Sequence, residues 1–241
     1  MSKIHNGFFG HPKKNQTLLY SGGDSEERYY KNLASQPSDW YYKDKRITYN
    51  YNSLGHRCKN IADINLDNYI LFAGCSHTEG VGLELENTYP YQVSKKSGMD
   101  YYNLAVGGAG QDIMTHNLIM FSNIVNKPPK YLIILQPEVT RFATYDTDKS
   151  YIKLNNISEN NSDITRFIEA GDKLNYFADR LSFNMLLINQ LYKNSKILRM
   201  DWLSDDENSV LNMLQIDTAR DLSHSGIESN TKLANEILES L

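Results

Sequence analysis

Two hydropathy patterns divide this chain. From Asp67 onward, short apolar runs alternate with longer segments whose apolar residues recur at helical spacing. The runs 69–74, 101–105, 131–136 and 196–201 are rich in Ile, Leu, Val or Tyr and read as strands. Between and after them the spacing predicts helices over 89–97 (behind the start signal Asn87-Thr88), 111–123, 175–193 and 227–241. Ile113, Leu118 and Phe121 share one face of the second helix. Phe177, Leu181, Met185, Leu186 and Ile188 fall near helical spacing in the third, and Leu233, Ile237, Leu238 and Leu241 form a stripe in the last. Strand and helix in alternation predict an α/β fold, with a mostly parallel sheet covered on both faces.

Residues 1–66 differ. Gly, Pro, Asn, Asp, Lys and Tyr are frequent there, and no period is sustained. Ser21-Gly22-Gly23-Asp24 and Gln36-Pro37-Ser38-Asp39 are loop signals, and 46–51 alternates enough for a short strand. The expected organisation is an N-terminal extension, 1–66, wrapping onto a main domain, 67–241.

Charge and composition narrow the function. A formal net charge of −4 argues against a general nucleic-acid binder. No apolar run approaches the roughly 18 residues of a membrane span. The opening Met1-Ser2-Lys3-Ile4-His5-Asn6-Gly7 is too polar for a signal peptide, so cytoplasmic synthesis is expected, with the final location open. Two cysteines, Cys58 and Cys75, make neither a disulfide framework nor a zinc site, and no metal or cofactor is expected. Cys75 is read as a small packing residue. The 17 tyrosines suit an AT-rich genome better than they argue for a sugar-binding surface. Phosphate motifs fail: there is no Gly-Lys-Ser/Thr ending, and Gly108-Ala109-Gly110 lacks the third glycine of a dinucleotide fingerprint.

The chemistry-bearing residues lie at the ends of these elements. Gly74-Cys75-Ser76-His77-Thr78 follows the first strand and lifts the Ser76 hydroxyl out at the end of the sheet. Asn103 to Gly110 follows the second strand. Asp221-Leu222-Ser223-His224 stands just before the last helix. A serine needs a base to act as a nucleophile, and the base needs an orienting acid. Taken singly, each piece has a plainer reading: Ser76 as a helix cap, Asp221 as an acid near a helix start, Gly107, Gly108 and Gly110 as a close-packed turn. Their joint order and placement favour catalysis.

In that order the three blocks resemble the SGNH (GDSL-type) hydrolase family over residues 67–241. The resemblance implies a three-layer α/β/α sandwich of flavodoxin-like type. It also implies Ser76 as nucleophile, His224 as base, Asp221 as its partner, and the backbone N–H groups of Ser76 and Gly108 as oxyanion donors. Three features depart from the family pattern. Cys75 replaces the Asp of the first turn, His77 replaces the following Leu, and Leu135-Gln136-Pro137-Glu138 stands where Gly-x-Asn-Asp is usual. Gln136 is the candidate for the missing side-chain donor; loss of one such donor costs about 3 kcal/mol of transition-state stabilisation. His77 is a candidate pocket residue or a packing residue. Arg141 is either a binder of an acidic substrate group or the partner of Glu138.

The function implied is hydrolysis of a small ester or an acylated glycan, the glycan resting on family breadth alone. An acyltransferase with the same residues, and a non-catalytic glycan-binding or structural module, stay open, as does oligomeric state. Activity should fall as pH drops through the ordinary imidazole range, about 6.5.

Overall fold

The computed structural model describes residues 7–145, 152–155, 162–202 and 211–241. In chain order the strands are β1 (Thr17–Leu18), β2 (Tyr49–Asn50), β3 (Tyr69–Ala73), β4 (Asp100–Asn103), β5 (Tyr131–Leu135), β6 (Phe142–Tyr145), β7 (Ile152–Asn155), β8 (Lys196–Trp202) and β9 (Leu211–Met213). The α-helices are α1 (Glu26–Ser35), α2 (Ser76–Glu79), α3 (Tyr89–Ser97), α4 (Gln111–Ile124), α5 (Ser162–Lys173), α6 (Tyr176–Leu191) and α7 (Ile227–Ser240).

Five strands form one parallel sheet in the order β4-β3-β5-β8-β9. In chain sequence this is the 2-1-3-4-5 order of flavodoxin-like doubly wound folds. Tyr69-Ile70-Leu71-Phe72-Ala73 and Tyr131-Leu132-Ile133-Ile134-Leu135 are buried throughout, because a central parallel strand has helices on both sides. Successive residues then point into two separate cores. Leu71, Ala73, Leu132 and Ile134 meet Met114, Leu118 and Phe121 of α4 and Ile188 of α6. Ile70, Phe72, Ile133 and Leu135 meet Tyr89 and Val93 of α3 and Leu233, Ala234 and Ile237 of α7. The result is an α/β/α sandwich, as expected. Each expected strand and helix of residues 67–241 is present within a few residues. The short fifth strand β9, the β6–β7 pair and α5 lie outside the expected elements; β9 is only three residues long, whereas α5 carries Ile164, Phe167 and Ile168 at helical spacing.

The N-terminal stretch holds a helix that the sequence reading lacks. α1 has one buried residue, Asn32, so it has no apolar stripe to reveal it. It starts at Ser25, whose side chain accepts from Arg28 N, with Glu26 and Glu27 in the first turn. The expected strand over 46–51 contracts to Tyr49–Asn50, paired with β1. Tyr42, Ile47, Tyr49 and Tyr51 pack with Leu83 and Ala219, and Phe8 and Ile64 enter the α4 core.

Two buried cations fasten this stretch down. Arg57, 1% exposed, donates to the carbonyls of Gly80 (2.6 Å) and Leu83 (2.8 Å) and lies over the Tyr49 ring. Arg220 forms a two-point bond with Asp24, at 2.6 and 2.9 Å, and both side chains are almost fully enclosed. Removing one member leaves the other charge buried and uncompensated, at a cost of about 3–5 kcal/mol. Arg220→Met is therefore expected to lower unfolding free energy by about that amount in urea titration. A loss below about 1 kcal/mol would mean that Asp24 is adequately solvated without its partner.

Burial also makes the fold acid-sensitive. His56 is fully buried against Phe8 and Tyr102, and desolvation lowers its pKa to about 4. The unfolded chain takes up this proton near pH 6.5, whereas the folded chain does so only near 4. The stability contribution is thus complete above about 6.5 and lost as pH falls through that window, amounting to about 3 kcal/mol. His56→Gln should flatten the decline of the urea midpoint between pH 7 and 4; parallel declines would assign the loss to other groups.

Candidate active site

The first turn is shaped by close approach. Gly74 follows β3, and a β-carbon there would lie 2.2 Å from Thr78 Oγ1 and 2.9 Å from the Leu135 carbonyl oxygen. Only glycine lets β3 pass into α2 this tightly. Asn103 at the end of β4 clamps the turn, donating to the Thr78 carbonyl at 2.7 Å while accepting from Ala105 N. Ser76 is the first residue of α2, so its N–H has no partner inside the helix. The turn leaves the sheet between β4 and β5, where strand order reverses, which is the place at which doubly wound sheets form their sites.

The second contribution comes from the loop before α7. Ala219 N–H donates to the His224 carbonyl, and Leu222 adopts φ +56° to close the loop. A leucine in this left-handed conformation costs about 1 kcal/mol or more, strain of a kind that gathers at functional sites. Asp221 Oδ1 accepts from the backbone N–H groups of Ser223 and His224, at 3.2 and 3.1 Å. Asp221 Oδ2 lies 2.5 Å from His224 Nδ1, and His224 Nε2 lies 2.7 Å from Ser76 Oγ. Ser76, His224 and Asp221, spread over some 150 positions, are thus joined in one hydrogen-bonded chain. Burial alone would raise the Asp221 pKa; its bond to His224, the imidazole charge and the two backbone donors bring it below the usual carboxylate range.

Gly108 lies in the turn after β4, with φ +75°. A β-carbon on its neighbour Gly107 would sit 3.9 Å from Ser76 Cβ, so this turn runs alongside the hydroxyl. Gly107 N–H is committed to Glu79 Oε2. Gly108 N–H has no acceptor among the described residues, as an oxyanion donor requires.

Gln136 behaves differently from its expected role. Its carboxamide is buried, and Nε2 donates to Gln111 Oε1 at 2.5 Å and to the Pro137 carbonyl at 3.1 Å. Both N–H hydrogens are therefore engaged, and the expected third donor is turned away into a glutamine pair. Gln111 stands 25 positions away at the start of α4, so no local pattern announces this pairing. The pair leaves both Gln111 Nε2 and Gln136 Oε1 buried without partners among the described residues.

His77 packs its ring against His224, with centroids 4.8 Å apart and planes tilted by 57°. Burial, then the charges of His224 and Arg141, depress its pKa to about 3, which favours the neutral ring. Its place is the wall behind His224. Arg141 follows β5 and pairs with Glu138 at 3.4 Å, but where an exposed arginine was expected its side chain is largely buried. Cys75 is buried with Ala109 and Ile113, as a packing residue would be. Among the described residues, no group of three or more His, Cys, Asp or Glu is arranged to hold a metal, and no helix is long and apolar enough to cross a membrane.

The N-terminal stretch supplies parts that sequence reasoning missed. A β-carbon on Gly23 would lie 3.1 Å from Asp221 Oδ2 and 3.3 Å from His224 Cε1, so its backbone presses directly on the acid–imidazole pair. Arg28 Nη1 stands 3.8 Å from Asp221 Oδ2 and donates to the Gly23 carbonyl. The one local signal was the Gly22-Gly23 step, legible as a turn but not as a contact with residues two hundred positions away.

Fold and site together define a doubly wound α/β protein with a Ser–His–Asp hydrogen-bonded chain at its switch point. Among solved structures, similarity extends to a carbohydrate esterase family 2 enzyme with a carbohydrate-binding domain from Corynascus thermopiles (Myceliophthora fergusii), at TM-score 0.47 and 13% identity, over 72% of this chain and 65% of that one. An acetyl xylan esterase from the rumen bacterium Butyrivibrio proteoclasticus gives 0.47 and 14%, over 72% and 63%. A family two carbohydrate esterase from Clostridium thermocellum, in complex with cellohexaose, gives 0.45 and 14%, over 73% and 64%. The chain thus spans less than two thirds of each of these proteins. No family model matches the sequence, and no curated protein does.

Proposed function

We propose that this protein is a serine ester hydrolase of SGNH type, acting through an acyl-enzyme. The observation that carries the reading is the unbroken chain Asp221–His224–Ser76, with contacts of 2.5 and 2.7 Å. His224 Nε2 takes the proton from Ser76 Oγ as that oxygen attacks the ester carbonyl. Asp221 holds the imidazole by Nδ1 and stabilises the cation formed. The carbonyl oxygen becomes an oxyanion facing the N–H groups of Ser76 and Gly108. Collapse expels the alcohol, which receives the proton from His224. Water, activated by the same imidazole, then releases the acid and restores Ser76.

The proposed substrate is a small ester or an acylated glycan, and Arg141 and His77 are proposed to border its pocket. With Gln136 engaged elsewhere, two backbone donors carry the oxyanion, and the expected rate is that of a modest enzyme. Residues 67–241 are proposed as the catalytic domain, with the preceding stretch built into it. A fluorophosphonate probe tests the reading: it should label Ser76 in the folded protein, alongside turnover of acetyl esters. Folded protein that resists the probe and turns over no ester, from acetyl through octanoyl and acetylated sugars, would overturn it.

A further inference from the structure

Glu79 is a carboxylate in the wrong place for a bystander. It lies three residues after Ser76, with its side chain 1% exposed. A charge so enclosed persists only when its oxygens are satisfied. Oε1 accepts from Lys13 Nζ at 2.8 Å and from Tyr51 OH at 2.5 Å. Oε2 accepts from the backbone N–H of Gly107. Lys13 Nζ also reaches Ser21 Oγ and Tyr51 OH, both at 3.1 Å, and Ser21 and Tyr51 are themselves bonded at 2.7 Å. One carboxylate therefore ties Lys13 and Tyr51, and through them Ser21, to the turn that presents Gly108.

We propose that Glu79 is a positioning residue for the oxyanion turn, and that Lys13, with Tyr51, holds it charged and in register. The inference rests on the ester-hydrolase reading for its catalytic consequence, though not for the coupling itself. The physical reason is geometric. Gly107 and Gly108 are the central residues of a turn closed by Ala109 N–H on the Val106 carbonyl, and the Glu79 bond holds the peptide immediately before the Gly108 donor. A displacement of about 1 Å in such a donor costs on the order of a hundredfold in rate. The N-terminal residues then act on the site by positioning this turn.

The charged and titratable groups facing Glu79 are Lys13, Tyr51, His56 and Arg57. Burial raises the Glu79 pKa, and the charge and hydrogen bond of Lys13, the Tyr51 bond and the charge of Arg57 bring it below the usual carboxylate range. Without Lys13 the burial penalty loses its main counterweight, so the carboxyl takes up a proton at higher pH. Protonated, it is a weaker acceptor for Gly107.

Lys13→Met is the test. The expected result is a kcat roughly 10- to 100-fold lower with KM within about twofold, because the defect lies in the transition state. The acid limb of kcat should also steepen from one proton toward two and move to higher pH, as protonation of Glu79 adds to it. Lys13→Arg should restore both the rate and the single-proton limb. Glu79→Gln, which cannot ionise, should lower kcat at every pH while keeping a one-proton limb. Wild-type kcat and an unchanged limb in folded Lys13→Met overturn the proposal, as does lost stability with an unchanged limb. A second readout needs no substrate: amide exchange at Gly107 should accelerate in Lys13→Met, and unchanged exchange overturns the coupling. If the wild type hydrolyses no ester yet exchange accelerates, the coupling stands and the hydrolase reading falls.

Discussion

Ser76→Ala is expected to abolish ester turnover, with kcat falling by about a millionfold. The substitution removes one oxygen from a side chain that is 9% exposed, and the methyl fits the same space. The fold should therefore be unaffected, and the thermal midpoint should stay within a degree or two of wild type. What disappears is the atom that His224 Nε2 addresses at 2.7 Å. With the proposed backbone donors still in place, a residual rate over water is expected. Single-turnover assays on an acetyl ester, with fluorophosphonate labelling as control, measure both. Labelling that persists at wild-type stoichiometry in Ser76→Ala would place the nucleophile elsewhere.

Asp221→Asn is expected to reduce kcat by about ten-thousandfold, with KM little changed. The carboxylate of Asp221 accepts from His224 Nδ1 and fixes the tautomer whose Nε2 lone pair faces Ser76. An asparagine that turns its amide nitrogen toward Nδ1 favours the opposite tautomer, with Nε2 protonated and useless as a base. Its remaining oxygen still meets the N–H groups of Ser223 and His224, so the loop is expected to keep its shape. Sign and pH range follow from the depressed Asp221 pKa. The carboxylate stays ionised as pH falls through the ordinary carboxylate range, so protonation of Asp221 is not expected to set the wild-type acid limb. A variant within tenfold of wild type at pH 8 would remove Asp221 from the mechanism.

The parts of the site that were legible in the sequence share one property. Ser76, Gly108, Asp221 and His224 each stand in a turn whose chemistry is local: a buried strand ending in glycine, a glycine pair, an acid three residues before a histidine. The sheet was legible for a related reason, since a short, wholly apolar run such as Tyr131-Leu132-Ile133-Ile134-Leu135, alternating with helical segments, suits a strand buried on both faces of a parallel sheet. Gln136 was misleading because its fate depends on Gln111, a neighbour only in three dimensions. α1 was hidden because its one buried residue, Asn32, is polar, so no apolar position marks its packed face.

The amino-acid sequence by itself determined the alternating architecture, the strand-end position of Ser76 and the short-range pairing of Asp221 with His224. These depend on interactions a few residues long or on hydrophobic period. Tertiary structure decided that the imidazole meets the hydroxyl, that Gln136 is spent on Gln111, and that the N-terminal stretch underlies the site. Arg220 and Asp24 meet across 196 positions, and Lys13 and Glu79 across 66. Such pairings leave no periodic mark on the chain, because a buried charge is specified by whichever partner the completed fold brings to it.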